Sequence, residues 1–422
     1  MNFQASLEHA LQLDRNDPLR KFQQDFLHPK VNDRPGIYFL GNSLGLQPKS
    51  ASLKIQEVLD QWSAHGVEAF FEPGSSWTGY HDRLTTKMAP IVGAKPHEIS
   101  IQNALTVNLH LLFASFYRPS GKRTKILCES GAFPSDQYMI DSHLRQRGSE
   151  PRDHLLEVSP RQGEETILME DILDMIESHR DELALVFLGG VNYYTGQLFD
   201  IGLITQAAHE AGALAGFDLA HAAGNIPLHL HDWNVDFAAW CNYKYLNGGP
   251  GAIGSLYVHE RHHGNSSIPR LAGWWGNEQS TRFLMEPIFR PEGHASGWQL
   301  STPPILLLAT LEASLDLFLD AGWENLCVKQ NKLTSWLWFL LDELNRKQLR
   351  QVVRYITPRQ EKGCQVSLLT LENGTALHSA LSDHGIMTDW REPDVIRMAP
   401  VPFYNSYEQI WHTYEVLSGL IT

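Results

Sequence analysis

The sequence predicts an α/β protein: a largely parallel sheet with helices on both faces, followed by a smaller α+β unit. Three observations carry this reading. At 422 residues the chain is too long for one small core, so two domains are expected. From about residue 36 onward, short apolar, β-branched runs alternate with longer helical patterns, as strand–helix–strand units require. After Pro303-Pro304 that alternation gives way to long helices and fewer strands.

Each element follows in order. Residues 1–35 mix Glu8, Asp14, Asp17 and Asp25 into an amphipathic pattern, read as a helical segment packing beside the smaller unit. Strands are expected at 37–40, 99–102, 125–129, 183–188, 214–218, 237–241 and 253–259, a mostly parallel seven-stranded sheet. Helices at 105–116, 166–178 and 203–211 lie between them. This large unit spans 36–304. The small unit, 305–422, is expected to hold helices at 305–319 and 323–346, strands at 352–356 and 365–371, a helix at 376–384, a strand at 395–399 and a terminal helix. In open sheets of this kind ligands bind at the carboxyl ends of the strands.

Composition excludes several classes of function. A net charge of −14 and the lack of a basic face argue against nucleic acid. The longest apolar stretches, 304–309 and 337–341, fall far short of the roughly 20 residues a membrane-spanning helix needs. The N-terminus has neither the apolar block of a secretory signal nor the acid-poor character of a transit peptide. Cys128, Cys241, Cys327 and Cys364 are widely spaced, which reads as free thiols in a reducing compartment. A cytoplasmic location is expected.

Three motifs attract attention and fail on context. His259-Glu260-Arg261-His262-His263 matches a zinc-hydrolase pattern that requires both histidines on one helix face. Here it follows a strand directly and runs into Gly264-Asn265-Ser266-Ser267 and Pro269, so no metal is expected. Gly249-Pro250-Gly251-Ala252-Ile253-Gly254 spells a dinucleotide fingerprint but leads into a β-rich run instead of a helix. Its glycines are better read as letting the backbone pass close to something bulky. No G-x-S-x-G elbow exists, since Ser296-Gly297 is followed by Trp298.

The residues that carry chemistry lie elsewhere. Phe217-Asp218-Leu219-Ala220-His221 closes one strand, and Trp240-Cys241-Asn242-Tyr243-Lys244-Tyr245-Leu246 follows another. An acid at the end of a buried strand needs a cation or several donors. Neighbouring parallel strands would present Asp218 and Lys244 to one crevice. Pyridoxal-phosphate (PLP) chemistry asks for this pair, a lysine to form an imine and a carboxylate to keep the pyridine nitrogen protonated. A structural ion pair reads equally well from these two residues alone. Asn103-Ala104-Leu105-Thr106-Val107-Asn108 opens an apolar helix whose free amides suit a phosphate, or is an ordinary cap. Phe133, in Gly131-Ala132-Phe133-Pro134-Ser135-Asp136, is placed either to stack on a ring or to cap the core. Arg397 is either a bidentate carboxylate clamp or an arginine on an exposed strand face.

Together these stretches resemble the kynureninase family, homodimeric PLP enzymes of fold type I, the aspartate-aminotransferase fold. The resemblance runs from about Tyr38 to Tyr407. It rests on Tyr38-Phe39-Leu40-Gly41-Asn42-Ser43-Leu44-Gly45-Leu46-Gln47-Pro48, residues 103–111, 132–136 and 216–221, Tyr194-Thr195-Gly196-Gln197, His231-Asp232-Trp233, Tyr243-Lys244-Tyr245-Leu246-Asn247, Gly273-Trp274-Trp275-Gly276, Ser280-Thr281-Arg282-Phe283 and residues 396–405. It implies PLP-dependent hydrolysis of L-kynurenine, or its 3-hydroxy form, to anthranilate or 3-hydroxyanthranilate and L-alanine, in tryptophan degradation and NAD precursor synthesis. By the same resemblance Lys244 bonds the cofactor and acts as general base, Asp218 partners the pyridinium nitrogen and Tyr243 reaches the phosphate through its hydroxyl; the donor to the hydrated ketone is either Tyr243 or a cofactor phosphate proton. Leu105, Thr106, Phe133, Asp136, His221, Trp274 and Thr302 would also contact the cofactor, Trp274 from the neighbouring subunit. Ser43, His65, Trp275, Ser301, Thr302 and Arg397 would line the substrate pocket. Gly189 and Thr302 stand where some relatives carry serine and asparagine.

Two rival classes remain open. A cysteine desulfurase would need a catalytic cysteine on a mobile loop, and Cys327 and Cys364 both fall inside expected elements; an aminotransferase stays open. A non-catalytic PLP-fold protein would have no need of Lys244, Asp218 and Arg397 together.

Overall fold

The computed structural model describes residues 3–74, 76–347, 353–370 and 373–421. Seven strands form the central sheet: β1 (Ile99–Ile101), β2 (Lys125–Glu129), β3 (Leu155–Val158), β4 (Leu183–Gly189), β5 (Leu214–Asp218), β6 (Phe237–Trp240) and β7 (Ser255–Val258), in spatial order β1-β7-β6-β5-β4-β2-β3. Only β7 runs antiparallel to its neighbours; β6, β5, β4, β2 and β3 are mutually parallel. The strands are aliphatic and aromatic because helices cover both faces, and those of β6 and β7 are buried at every position.

One expected strand is absent from this sheet. Ile37–Tyr38 instead pairs in parallel with Ile386–Met387, and Phe39 packs in the smaller core. The seventh strand is β3, which the sequence reading missed. It is an edge strand with only Val158 buried, so its apolar signal is weak.

Helices α1 (Leu7–Arg15), α2 (Ala51–His65), α3 (Tyr80–Val92), α4 (Leu105–Phe116), α5 (Pro134–Gln146), α6 (Met169–Ser178) and α7 (Ile201–Glu210) come before the Pro303-Pro304 step. The start of α4 matches its expected residue, and α7 begins two residues early because Asp200 caps it through the Leu203 amide. Beyond the step lie α8 (Ile305–Ala321), α9 (Trp323–Lys347), α10 (Gly374–Asp383) and α11 (Tyr407–Leu420). They accompany an antiparallel sheet of β8 (Val353–Tyr355), β9 (Val366–Thr370), β10 (Asp389–Arg391) and β11 (Val395–Met398), in order β8-β9-β11-β10. Val352 and Leu371, the outer residues of two expected strands, lie outside the described residues. Strand β10 was not anticipated, and its first residue proves important below.

Two cores result. The larger is built on the parallel sheet and takes in α8 through Leu308, Leu311, Leu315 and Phe318. The smaller gathers Trp336, Leu337, Leu340 and Leu344 of α9 with Ile396, Met398, Tyr407 and Ile410. Helix α1 closes the smaller core: both Asp14 carboxylate oxygens accept the first amides of α11, from Tyr407 and Glu408, at 2.9 Å. Asp17 pairs with the buried Lys329 at 2.7 Å. No helix among the described residues is long and apolar enough to cross a membrane.

At the amino-terminal end of the parallel strands, the fully buried Asp236 ties β5 to β6. Its carboxylate accepts the Ala215 amide at 2.7 Å and the rings of His209 and His262 at 2.8 and 2.7 Å, and it pairs with Arg261 at 2.5 Å. Burial alone raises this carboxyl, but the His209, His262, Arg261 and Ala215 contacts outweigh burial and hold it well below the usual carboxylate range. A depressed folded pKa contributes stability above the unfolded value of about 3.9, and that contribution is lost as pH falls through the folded one. Asp236→Asn is therefore expected to destabilise the fold by about 2–4 kcal/mol near neutrality, the range discounted because Arg261 and His209 stay partly hydrated. The gap from wild type should narrow below about pH 4, as read from denaturant unfolding midpoints at several pH values.

Candidate active site

The carboxyl ends of β2, β4 and β5 and the turn after β6 converge on one cavity of about 160 Å³. Its wall includes Leu105, Thr106, Phe133, Asp136, Asp218, His221, Tyr243 and Lys244, eight of the residues singled out in the sequence. Adjacent strands explain the meeting. Asp218 ends β5 in register with Ala239 of β6, and the chain turns after Trp240 to bring Lys244 back over the strand ends. That turn is packed tightly against the loop before α2. The Gly45 amide donates to the Tyr243 carbonyl at 2.8 Å, and a Cβ at Gly45 would collide with the Lys244 carbonyl and Asn247. Farther on, Gly254 lies against the Trp240 carbonyl and the Leu105 amide, the close backbone passage expected of this run. Gly249 and Gly251 have open space around them and serve instead as left-handed turn positions.

Two helix N-termini face this cavity. Helix α4 begins at Leu105 after Ala104, with no side-chain cap, and α5 begins at Pro134 after Phe133. The Thr106 and Ser135 hydroxyls meet at 2.7 Å between them. Uncapped amides and two aligned helix dipoles suit a dianion such as phosphate.

The ionisable groups form a tight set. The Lys244 amine lies 3.0 Å from His221 Nε2. Burial, then the Lys244 charge, holds His221 well below the usual imidazole range, so the ring is neutral and Nε2 accepts the bond. Its Nδ1 is buried without a protein partner. Asp218 accepts the Ala220 amide at 2.7 Å. Burial raises both Asp218 and Asp136, and Asp136 lies well above the usual carboxylate range through burial and the Asp218 charge. Lys244 opposes the rise at Asp218. Asp136 is thereby the more readily protonated of the two carboxyls, and Asp218, opposed by the Lys244 charge, the better placed to carry the negative charge. Tyr243 is pushed up by burial and keeps its proton. Phe133 stands at the mouth, 44% exposed, its ring centre 6.0 Å from the Lys244 amine.

The cofactor implied by the sequence is PLP, and these residues fit it. An uncapped helix start with two hydroxyls suits the phosphate, an anionic carboxylate suits a pyridinium, an amine is available for attachment, and His221 Nδ1 is a buried donor without a protein acceptor.

Behind the cavity lies the arginine of β11. Arg397 is 1% exposed, which removes the reading of an arginine on a solvent face. It pairs with Asp389 of β10 at 2.5 Å and donates to the Tyr193 carbonyl at 2.5 Å. Tyr193 and Asn192 open the turn whose later residues, Tyr194 to Gln197, were quoted in the sequence, but neither was itself singled out. Asn192 Oδ1 accepts the amides of Tyr194 and Thr195 at 3.0 and 2.9 Å, and its Nδ2 donates to Glu129 at 2.8 Å. Glu129 is itself buried at the end of β2 and takes the Gly189 amide at 3.2 Å. Glu129, Gly189, Val191 and Tyr193 all line the cavity. An acid at the end of a strand was the available signal for Glu129, the same one that marked Asp218.

The remaining expected residues are not on this wall within one chain. Ser43 lies in the loop that packs on Tyr243, its hydroxyl buried and unpartnered. His65 ends α2, near Glu72 at 3.8 Å. Trp275 is enclosed, with Arg282 4.7 Å over its ring and Phe70 and His81 beside it. Ser301 is exposed and Thr302 half-buried in the loop before α8. Trp274 is 45% exposed and faces outward with Phe283, their ring centres 5.5 Å apart.

Comparison with known proteins agrees with this geometry. Residues 327–417 match the family described as the kynureninase C-terminal domain. A kynureninase of Flavobacterium psychrophilum is 50% identical over 419 residues, 99% of this chain and 98% of that one. A kynureninase of Myxococcus xanthus is 49% identical over 420 residues, with the same coverage. Among solved structures, a cysteine desulfurase of Thermococcus onnurineus superposes with a TM-score of 0.77 at 20% identity, covering 95% of this chain and 98% of its own. The Escherichia coli cysteine desulfurase CsdA gives 0.74 at 16%, covering 94% and 97%. Similarity that low speaks for the fold alone, which is fold type I. Half-identity sustained over almost the whole length speaks for more: the chain belongs to the kynureninase family.

Proposed function

We propose that this chain hydrolyses L-kynurenine to anthranilate and L-alanine, with PLP held at Lys244 and Asp218. The observation that carries the reading is the meeting of Lys244, His221 and an anionic Asp218 in one cavity, in a chain of this family. Bound there, PLP supplies a carbonyl that captures the substrate amine and a ring that draws electrons from the bonds around its α-carbon.

The protein's part is positioning and proton transfer. Leu105, Thr106 and Ser135 hold the phosphate end through amides and hydroxyls. Asp218 stays ionised against the ring nitrogen because Asp136 carries the proton of the pair. Phe133 covers one face of the ring, and Trp274 closes the phosphate end of the neighbouring subunit's cavity. Lys244 would hold the cofactor and, with its amine free, move a proton at the substrate's α-carbon, while neutral His221 accepts a hydrogen bond from that amine. Tyr243, still protonated, donates to the ketone oxygen as water adds. Arg397 clamps the substrate carboxylate. Ser43, His65, Trp275, Ser301 and Thr302 form the aryl side, and preference for the 3-hydroxylated substrate is decided there.

A homodimer follows from the same reading. Trp274, Phe283, Phe71, Leu284 and Met285 present exposed apolar surface on one side of the chain, of a kind that monomers rarely leave uncovered. A second copy covering it would bring Trp274 to the partner's cavity. The four cysteines are unpaired and three are buried, in keeping with a reducing cytoplasm. Cys327 is helix-bound and the other three are buried, so none is the exposed loop cysteine that a desulfurase needs.

Lys244→Ala should abolish the visible absorbance of lysine-bound cofactor together with anthranilate fluorescence on adding L-kynurenine; a retained band would sink the lysine assignment. Asn192→Ala removes the bond to Glu129 and loosens the Tyr193 carbonyl beneath Arg397. Charge-assisted hydrogen bonds contribute about 1.5–3 kcal/mol, so kcat/KM should fall roughly 10- to 100-fold, chiefly through KM. Arg397→Lys keeps the charge but loses the fork and should raise KM by at least about tenfold, measured by anthranilate release at varied substrate.

A further inference from the structure

We propose that Glu98, His231 and His259 form a binding site for a divalent transition metal, Zn²⁺ by preference, at the end of the sheet opposite the cofactor cavity. His259 is the first residue of the zinc-like motif, which the structure does not fold as a helix: Glu260–His262 is a single tight 3-10 turn. The partners come from elsewhere in the chain. Glu98 precedes β1, His259 follows β7, and His231 lies in the loop before β6. The antiparallel course of β7 brings its end beside the start of β1 and delivers the three residues to one place.

The donor atoms are already grouped. One Glu98 oxygen, Oε1, is 3.0 Å from His231 Nδ1 and 3.8 Å from His259 Nδ1, and one ligand atom from each residue lies within 4.8 Å of the others. The two imidazole centres are 5.0 Å apart. Rings bound to one tetrahedral ion at ~2.0–2.1 Å hold their centres roughly 5 Å apart. Two histidines and one carboxylate with a fourth position open is a donor set that Zn²⁺ takes.

The surroundings hold the carboxylate and leave the charge unspent. The Lys95 and Glu260 amides each donate to Glu98 at 2.9 Å, fixing both oxygens. Nearby cations are occupied: Lys95 pairs with Glu260 at 2.6 Å and Arg261 with Asp236 at 2.5 Å. Glu98 is fully buried and His259 nearly so, with His259 Nε2 lacking any partner. His231, 26% exposed, gives an ion its way in. An ion at His259 Nδ1 would replace the bond now accepted from the Arg261 amide at 3.1 Å.

The test is a Zn²⁺ titration of chelator-treated holoenzyme against a chromophoric competitor. One equivalent per chain should bind to wild type, and His231→Ala and His259→Gln should each weaken it more than about a hundredfold, a larger effect than loss of an outer-shell partner. The visible cofactor band and anthranilate release should be unchanged in both. Failure of wild type to take up stoichiometric Zn²⁺ would overturn the site. So would equal affinity in the variants, which would move the ion to the cysteines or to other histidines. Should one variant fail to fold, the wild-type titration and the other variant still decide.

Discussion

A buried anion at the end of a strand is the constraint on which the rest of this molecule depends. Asp218 closes β5 inside the sheet, where burial alone would neutralise it. Three features favour its ionised form against that burial: the Lys244 amine, the Ala220 amide and a neighbouring Asp136 that is the more readily protonated of the pair. The same burial leaves His221 neutral beside the lysine. None of these states belongs to a residue by itself. Each follows from crowding several ionisable groups into a dry crevice that accepts one net arrangement of protons, and that arrangement is the one a protonated pyridine requires.

The fold is shaped to make that crowding possible. Lys244 reaches back over the strand ends only because the chain turns sharply after β6, and the turn is braced by the 41–45 loop, where no side chain larger than hydrogen fits at Gly45. The glycine run after Lys244 carries the backbone past the start of α4 without blocking its amides. Local sequence that looked like a nucleotide fingerprint is thus a turn at Gly249 and Gly251 followed by one close backbone approach at Gly254.

How much of this was legible in the sequence follows from what sequence encodes. Strong apolar runs and helix starts were readable: α4 began where expected, and β2, β4, β5 and β6 fell near their predicted places. Edge strands were not. Strand β3 is half-exposed, and Ile37–Tyr38, though apolar, pairs with Ile386–Met387, a choice made by tertiary contact. Asp218, Lys244, His221 and Phe133 were found because each ends or follows a strand in an unusual context. Glu129 carried the same signal but lacked a partner visible in sequence. Asn192 and Tyr193 act through a turn amide and a carbonyl, which the residue letters do not reveal. Residues expected on the aryl side, Ser43, His65, Trp275, Ser301 and Thr302, lie off the wall of this chain's cavity, because their placement depends on tertiary contacts that the letters do not encode.

The turn at 192–195 gives the two cores a mechanical link. Glu129 and Gly189 belong to the large sheet, whereas Arg397, Asp389 and Gln365 belong to the small one. Asn192 is bonded to the first group, and the Tyr193 carbonyl receives Arg397 and Gln365 from the second. Asp389, from the strand that sequence did not reveal, neutralises the arginine from the far side. On the clamp role proposed for Arg397, an arriving carboxylate would compete with Asp389 for the guanidinium while the Tyr193 carbonyl keeps hold of one nitrogen. The clamp is thereby registered to the cofactor cavity through about two hydrogen bonds on either side of one turn. On the roles proposed for Arg397 and Lys244, substrate affinity and the placement of the α-carbon would both depend on that turn, which puts Asn192, a residue proposed to touch neither reactant, at the centre of the site's geometry.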